Sequence, residues 1–174
     1  VSGGQQGIDL AAKSLLNAGD GVICEEPSFI GGLNCFKSYN AEIYGVEVKD
    51  DGIDTEALEE VLKTHDNIKV LYTIATFQNP SGITMSLEKR KEVLELAEKY
   101  NFVIFEDNPY GELRFSGQPV PTIKSLDKYG RVVYFGSFSK ILSPGLRIGF
   151  TTAPQELINK MVICKQVQDV HTPV

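Results

Sequence analysis

Basic residues are in short supply. Seventeen Lys and Arg face 23 Asp and Glu over 174 residues, leaving a net charge of −6 and a sequence pI near 5.0. Such a surface has no general attraction for phosphate backbones or anionic lipid, which argues against nucleic-acid and membrane partners. A local basic site for one small anion stays open. The chain has no apolar run of the ~18 residues a membrane span needs, and no basic-then-apolar leader. It opens at Val1 without Met and enters a glycine motif at once, so a piece of a longer protein is expected. Cysteine is scarce: Cys24, Cys35 and Cys164 are widely spaced and form no CxxC, and only His65 and His171 accompany them. That set makes a poor zinc site. Free thiols in a reducing, cytoplasmic setting are expected instead. No GxxxxGK[ST] occurs, which argues against a P-loop phosphotransferase. There is no internal repeat or linker, and Gly117–Pro121 is the one Pro-rich patch, expected as a surface loop.

What is present is an alternation of two periodicities. Ile8, Ala11, Ala12, Leu15 and Leu16 follow helical spacing up to a stop at Gly19. Gly21–Cys24 reads as a strand, Phe29–Tyr39 as a helix and Glu42–Val48 as a strand. Asp50, Asp51 and Gly52 mark a turn. Asp54 caps a helix to about Thr64, and Ser86 caps a long one to Tyr100. Val70–Ala75, Phe102–Glu106, Arg131–Gly136 and Ile148–Thr152 read as strands, and Pro154 opens a last helix through Gln168. Short apolar strands alternating with helices indicate βαβ units, and strands without polar alternation indicate a sheet covered on both faces. The expected fold class is α/β, a three-layer α/β/α sandwich with a mostly parallel sheet, spanning residues 1–174 as one domain.

Ligands of such sheets sit outside the carboxyl ends of the strands. Polar groups follow those ends here. Ser137, Ser139 and backbone N–H groups form a loop suited to an anion, and Arg147 can add a bidentate contact to phosphate. Gly3, Gly4 and Gln5 open the first helix, whose N-terminus again suits phosphate. Lys140 sits beside that anion site, where desolvation and neighbouring positive charge can release its proton for attack on a carbonyl. Phosphate, aldehyde and lysine together point to pyridoxal 5'-phosphate, with Asp107 as the acidic partner of the ring nitrogen. Asn79 and Tyr110 are suited to donate to the ring's phenolic oxygen, and Phe29 to stack on the ring.

The stretches SGGQQGIDL, EEPSF, FQNPSG, EDNPYGELRF and GSFSKILSPGLRIGF together resemble the fold-type I, class I/II pyridoxal-phosphate aminotransferases over essentially the whole chain. The resemblance is closest to the aminoadipate/kynurenine-type branch and to the aminotransferase-like domain of MocR-type regulators. It implies Lys140 as the Schiff-base lysine and general acid/base, and Asp107 on the pyridine nitrogen. It further implies Asn79 and Tyr110 on the phenolic oxygen. Ser137, Ser139, Arg147 and the backbone at Gly4 and Gln5 would take the phosphate. Phe29 stands where the family often has Tyr, keeping the stacking and losing a hydroxyl. The implied reaction is transamination between an amino acid and a 2-oxo acid. The implied assembly is a homodimer, and the chain would be the central cofactor-binding large domain, without the small domain that carries the arginine for the substrate carboxylate.

Plainer readings stand beside these. Asp107 can cap a turn, Asn79-Pro80 can be a turn signal, and Gly3-Gly4 can be simple loop freedom. Glu26-Pro27 and the charges from Glu88 to Glu92 read as solvated or turn-forming, Tyr72, Phe77 and Phe105 as core, and His65 and His171 receive no role. Two other functions share the cofactor residues: the effector domain of a MocR-type transcription regulator, and a pyridoxal-phosphate-dependent lyase.

Overall fold

A computed structural model describes residues 1–172. The elements alternate as expected: α1 (Gly4–Leu15), β1 (Gly21–Glu26), α2 (Ile30–Ser38), β2 (Glu42–Lys49), β3 (Gly52–Ile53), α3 (Thr55–Thr64), β4 (Ile68–Thr73), α4 (Leu87–Tyr100), β5 (Val103–Asn108), α5 (Ile123–Leu126), β6 (Val132–Ser137), β7 (Gly149–Thr152) and α6 (Gln155–Gln168). The caps are those the sequence signals. The Asp54 carboxylate accepts from Glu56 N and Ala57 N at the start of α3, and Ser86 Oγ accepts from Lys89 N at the start of α4. Asn101 ends α4 in the left-handed region at φ 57°, a conformation Asn tolerates better than most residues.

The seven strands lie in the order β3-β2-β1-β4-β5-β6-β7. The central pairings, β2-β1-β4-β5-β6, are parallel, and the two edge strands β3 and β7 run antiparallel. This is the expected three-layer α/β/α sandwich. One apolar layer packs α1, α2 and α6 against one face through Ile8, Phe36, Phe105, Phe135 and Met161. The other packs α3, α4 and α5 against the opposite face through Ile23, Leu58, Leu71, Val93 and Ile104. Each such fully buried side chain contributes about 1.5–3 kcal/mol.

Three differences from the sequence reading have simple causes. β3 and α5 are too short, at two and four residues, to show any periodicity. β4 begins at Ile68, because Gly21 of β1 pairs there across a register irregularity. β5 runs on through Asp107 and Asn108, because its ladder with β6 continues to Gly136. Asp107 is therefore a strand residue, held by sheet geometry rather than by a turn.

Candidate active site

The strand order reverses between β1 and β4: β2 lies on one side of β1, and β4, β5 and β6 follow on the other. In an open parallel sheet a ligand crevice opens at that point. A cavity of about 250 Å³ lies there, and every residue that the resemblance assigns to the site lines it.

One wall has the groups an anion needs. Gly3 precedes α1 at φ 83°, and no side chain caps the first turn, so its N–H groups remain available. The Arg147 guanidinium lies over Gly3, where an added Cβ would come 2.5 Å from Arg147 Nη2. The backbone angle thus favours glycine at position 3, and a side chain there would push the guanidinium aside. Arg147 itself follows a 3-10 turn, Pro144–Leu146, at φ 51°, and its Nη1 donates to Pro144 O at 3.3 Å. Ser137 ends β6, with its Oγ accepting from Ser139 N at 3.2 Å. Gly149 of β7 lies against the backbone of Gly3 and Gly4, so the edge strand supports the start of α1.

A second wall holds the carboxylate. Asp107 is buried, and Tyr72 Oη donates to its Oδ2 at 2.9 Å. Burial pushes its pKa up to about 6, the Tyr72 hydrogen bond pulls it down, and the charge of Glu25 pushes it further up. Tyr72 is core, as expected, but its hydroxyl also serves this carboxylate. Asn79 Nδ2 donates to Tyr110 Oη at 3.2 Å, which joins the two expected phenolic-oxygen donors. Phe29 is the N-cap of α2 rather than part of it, half-buried beside Gly31, whose carbonyl accepts from Gln5 Nε2 at 3.0 Å. Lys140 lines the cavity but is exposed. A second, larger and more open cavity of about 510 Å³ adjoins the first, sharing Asn79 and Tyr110 and walled by Phe77, Leu113 and Phe115.

Sequence reasoning missed the charged residues behind the site. Glu25 is buried at the end of β1 and accepts from Thr73 Oγ1, Ile74 N and Gln78 Nε2. Glu106 accepts from Ile123 N and Lys124 N, and fully buried Arg90 lies 3.9 Å from it. In the text EEPSF, Glu25 looks like half of an acidic turn. The available signal was that it continues the apolar run Val22-Ile23-Cys24.

The sequence pattern "Aminotransferase class I and II" matches residues 1–174. The chain belongs to the class I and II aminotransferases. Aromatic-amino-acid aminotransferase 1 of Thermococcus litoralis is 47% identical, over 99% of this chain and 42% of its own length. The solved Pyrococcus horikoshii kynurenine aminotransferase, in complex with PMP, KYN as substrates and KYA as products, superposes with a TM-score of 0.97 at 46% identity, over 99% of this chain and 44% of that one. An uncharacterized HTH-type transcriptional regulator of Bacillus subtilis, YisV, is 35% identical, over 97% of this chain and 35% of its length. This aminotransferase chain thus spans less than half of the proteins it matches.

The donor set fits pyridoxal phosphate. Uncapped helix N–H groups, two hydroxyls and a guanidinium suit a phosphate dianion. A buried carboxylate with one hydrogen-bond donor suits a protonated ring nitrogen, and an exposed primary amine suits an aldehyde.

Proposed function

We propose that this chain is the cofactor-binding large domain of a pyridoxal-phosphate-dependent aminotransferase, moving an amino group between an amino acid and a 2-oxo acid. The observation that carries this reading is the one cavity that Lys140, Asp107, Arg147 and the uncapped start of α1 at Gly4 and Gln5 line together. The start of α1, Ser137, Ser139 and Arg147 would hold the phosphate. Asp107, already poised to bind a proton, would keep one on the ring nitrogen. Asn79 and Tyr110 would donate to the phenolic oxygen and weaken its hold on a proton. Phe29 would cover a ring face. Bound pyridoxal phosphate supplies an aldehyde carbon and a ring that draws electrons from the substrate α-carbon. Lys140 Nζ would anchor it and, once released by the incoming amino acid, carry the α-proton.

The chain's share of its relatives' length supports a further domain beyond it, and the exposed Ile141, Leu142, Leu146 and Phe150 beside the cavity support a covering surface, which we read as a homodimer partner. Among the described residues no helix is long and apolar enough to cross a membrane, and the three cysteines are free. Both features support a cytoplasmic setting.

The test is an absorption titration of the chain and of its full-length parent with pyridoxal phosphate, before and after borohydride, beside Lys140→Ala. A visible band and a fixed adduct on the Lys140 peptide, both lost in the variant, are expected. A folded parent with neither would overturn the proposal. The YisV match favours a second reading, a ligand-binding part of a regulator. A loaded parent that binds amino acids yet transfers no amino group would select it, and a product other than the 2-oxo acid would select a lyase.

A further inference from the structure

The buried charges behind the cavity divide into two groups. Glu106 and Arg90 serve α4, α5 and the loop ends around them. Glu25 does something else. It lies at the end of β1, where β1 and β4 adjoin and the strand order turns. By strand alternation it shares a face with Ile23, which belongs to the α3/α4 layer, and it does not line the cavity. Its Oε1 accepts from Thr73 Oγ1 at 2.6 Å, and its Oε2 from Ile74 N at 3.1 Å and Gln78 Nε2 at 3.2 Å. Gln78 Nε2 also donates to Pro27 O at 2.8 Å, and Gln78 Oε1 accepts from Ser81 N and Ser81 Oγ. Gln78 is therefore tied on both sides of the turn that carries Asn79, and Glu25 is its buried tether. Ile74, whose N–H Glu25 holds, lines the cavity. A buried carboxylate with three donors fixes its surroundings firmly, and removing it leaves those donors unpaired.

We infer that Glu25 is a positioning residue of the active site, tethering Ile74 and the Gln78–Asn79 turn so that the Asn79 amide meets Tyr110 where the cofactor's phenolic oxygen would lie. The role is one of hydrogen bonding, not of charge. Glutamine at position 25 can still accept from Ile74 N and Gln78 and donate to the Thr73 hydroxyl, which rotates to receive it. Alanine cannot.

The functional part of the test rests on the proposed cofactor, so it is paired with one that does not. Without cofactor, the Asn79 side-chain amide is followed by NMR or a crystal structure in wild type, Glu25→Gln and Glu25→Ala. The Asn79–Tyr110 hydrogen bond is expected to survive in Glu25→Gln and to be lost in Glu25→Ala. With pyridoxal phosphate bound to the full-length parent, the pH midpoint of its absorption change is read in the same variants and in Asn79→Ala. Glu25→Ala should raise the midpoint by about one pH unit, toward that of Asn79→Ala, as expected for a lost hydrogen bond to a charged oxygen. The double variant should go no higher than Asn79→Ala alone, and Glu25→Gln should stay near wild type. An unmoved Asn79 amide in Glu25→Ala overturns the inference, as does a Glu25→Gln midpoint shifted as far as that of Glu25→Ala, which would mark an effect of charge on Asp107. Failure of the wild type to take up pyridoxal phosphate sinks the proposed function and leaves the NMR or crystal result to decide the tether. If Glu25→Ala does not fold, Glu25→Met, which keeps the side chain's length and removes both acceptor oxygens, is read the same way.

Discussion

Glu106 and Asp107 are neighbours on β5, both acidic and both buried, and the sheet turns them to opposite faces. Glu106 points with Ile104 toward α4 and α5, where two backbone N–H groups and Arg90 meet it. Asp107 points with Phe105 toward α1 and finds one donor, Tyr72. Burial raises the proton affinity of both. The first carboxylate is spent on holding the fold together. The second is left short of partners beside an open cavity, and an undersatisfied buried charge is what a cationic ligand atom can use. One strand thus provides a structural acid and, in the next residue, the cavity-facing acid proposed to meet the cofactor.

The contrast is broken most severely from the structural side. Arg90 donates to Met85 O, Ala75 O, Pro121 O and Thr76 Oγ1 besides facing Glu106. Arg90→Ala should cost about 3–5 kcal/mol in urea unfolding, the penalty for stranding buried partners of a charge. On the ligand side the sign reverses. Asp107 holds its proton to about pH 6 when folded, against an ordinary 3.8. Between those values the folded chain binds the extra proton, so stability falls as pH rises through the window, and the penalty is complete above it. Asp107→Asn in the cofactor-free chain should therefore gain on the order of 2–3 kcal/mol near neutral pH and nothing below about pH 4. Unfolding curves across that range would show the slope vanish. Equal gains at all pH values would mean that folding leaves the Asp107 pKa unshifted.

Tyr72→Phe sharpens the contrast by removing Asp107's donor. It should cost about 1.5 kcal/mol near neutral pH and push the carboxyl titration, followed by carbon NMR, above its wild-type midpoint. The smallest effect belongs to Thr122, which caps α5 by accepting from Ser125 N and so steadies the N–H groups that reach Glu106. Thr122→Ala should cost about 1 kcal/mol without moving the Asp107 midpoint.

The ligand-facing half of this contrast was legible in the sequence, and the structural half was not. Asp107, Asn79, Ser137 and Lys140 follow or end apolar strands, and the topology of a parallel sheet sends such residues to one edge. Arg90 and Glu106 carry no such mark. Arg90 sits in a helix segment rich in exposed charge, and only the tertiary packing of α4 over the end of β4 takes it out of water. Glu25 was lost for the same reason, its partner Gln78 lying more than fifty residues away. Lys140 was legible by position but not by environment, because exposure depends on what lies around the loop rather than on the motif. β3 and α5 left no period to read.

The lean of Arg147 over Gly3 has a consequence in chain entropy. Those two residues join nearly the whole length of the chain, and Gly149 N adds a hydrogen bond to Val1 O beside them. Closing a loop of that length costs about 4 kcal/mol of chain entropy. By contrast, Asp107 is set by β4 and β5, which are joined through a single helix. The carboxylate therefore rests on contacts close in sequence, whereas the wall at Gly3 and Arg147 exists only when residues far apart along the chain are held together, and it carries the larger share of the chain-entropy cost.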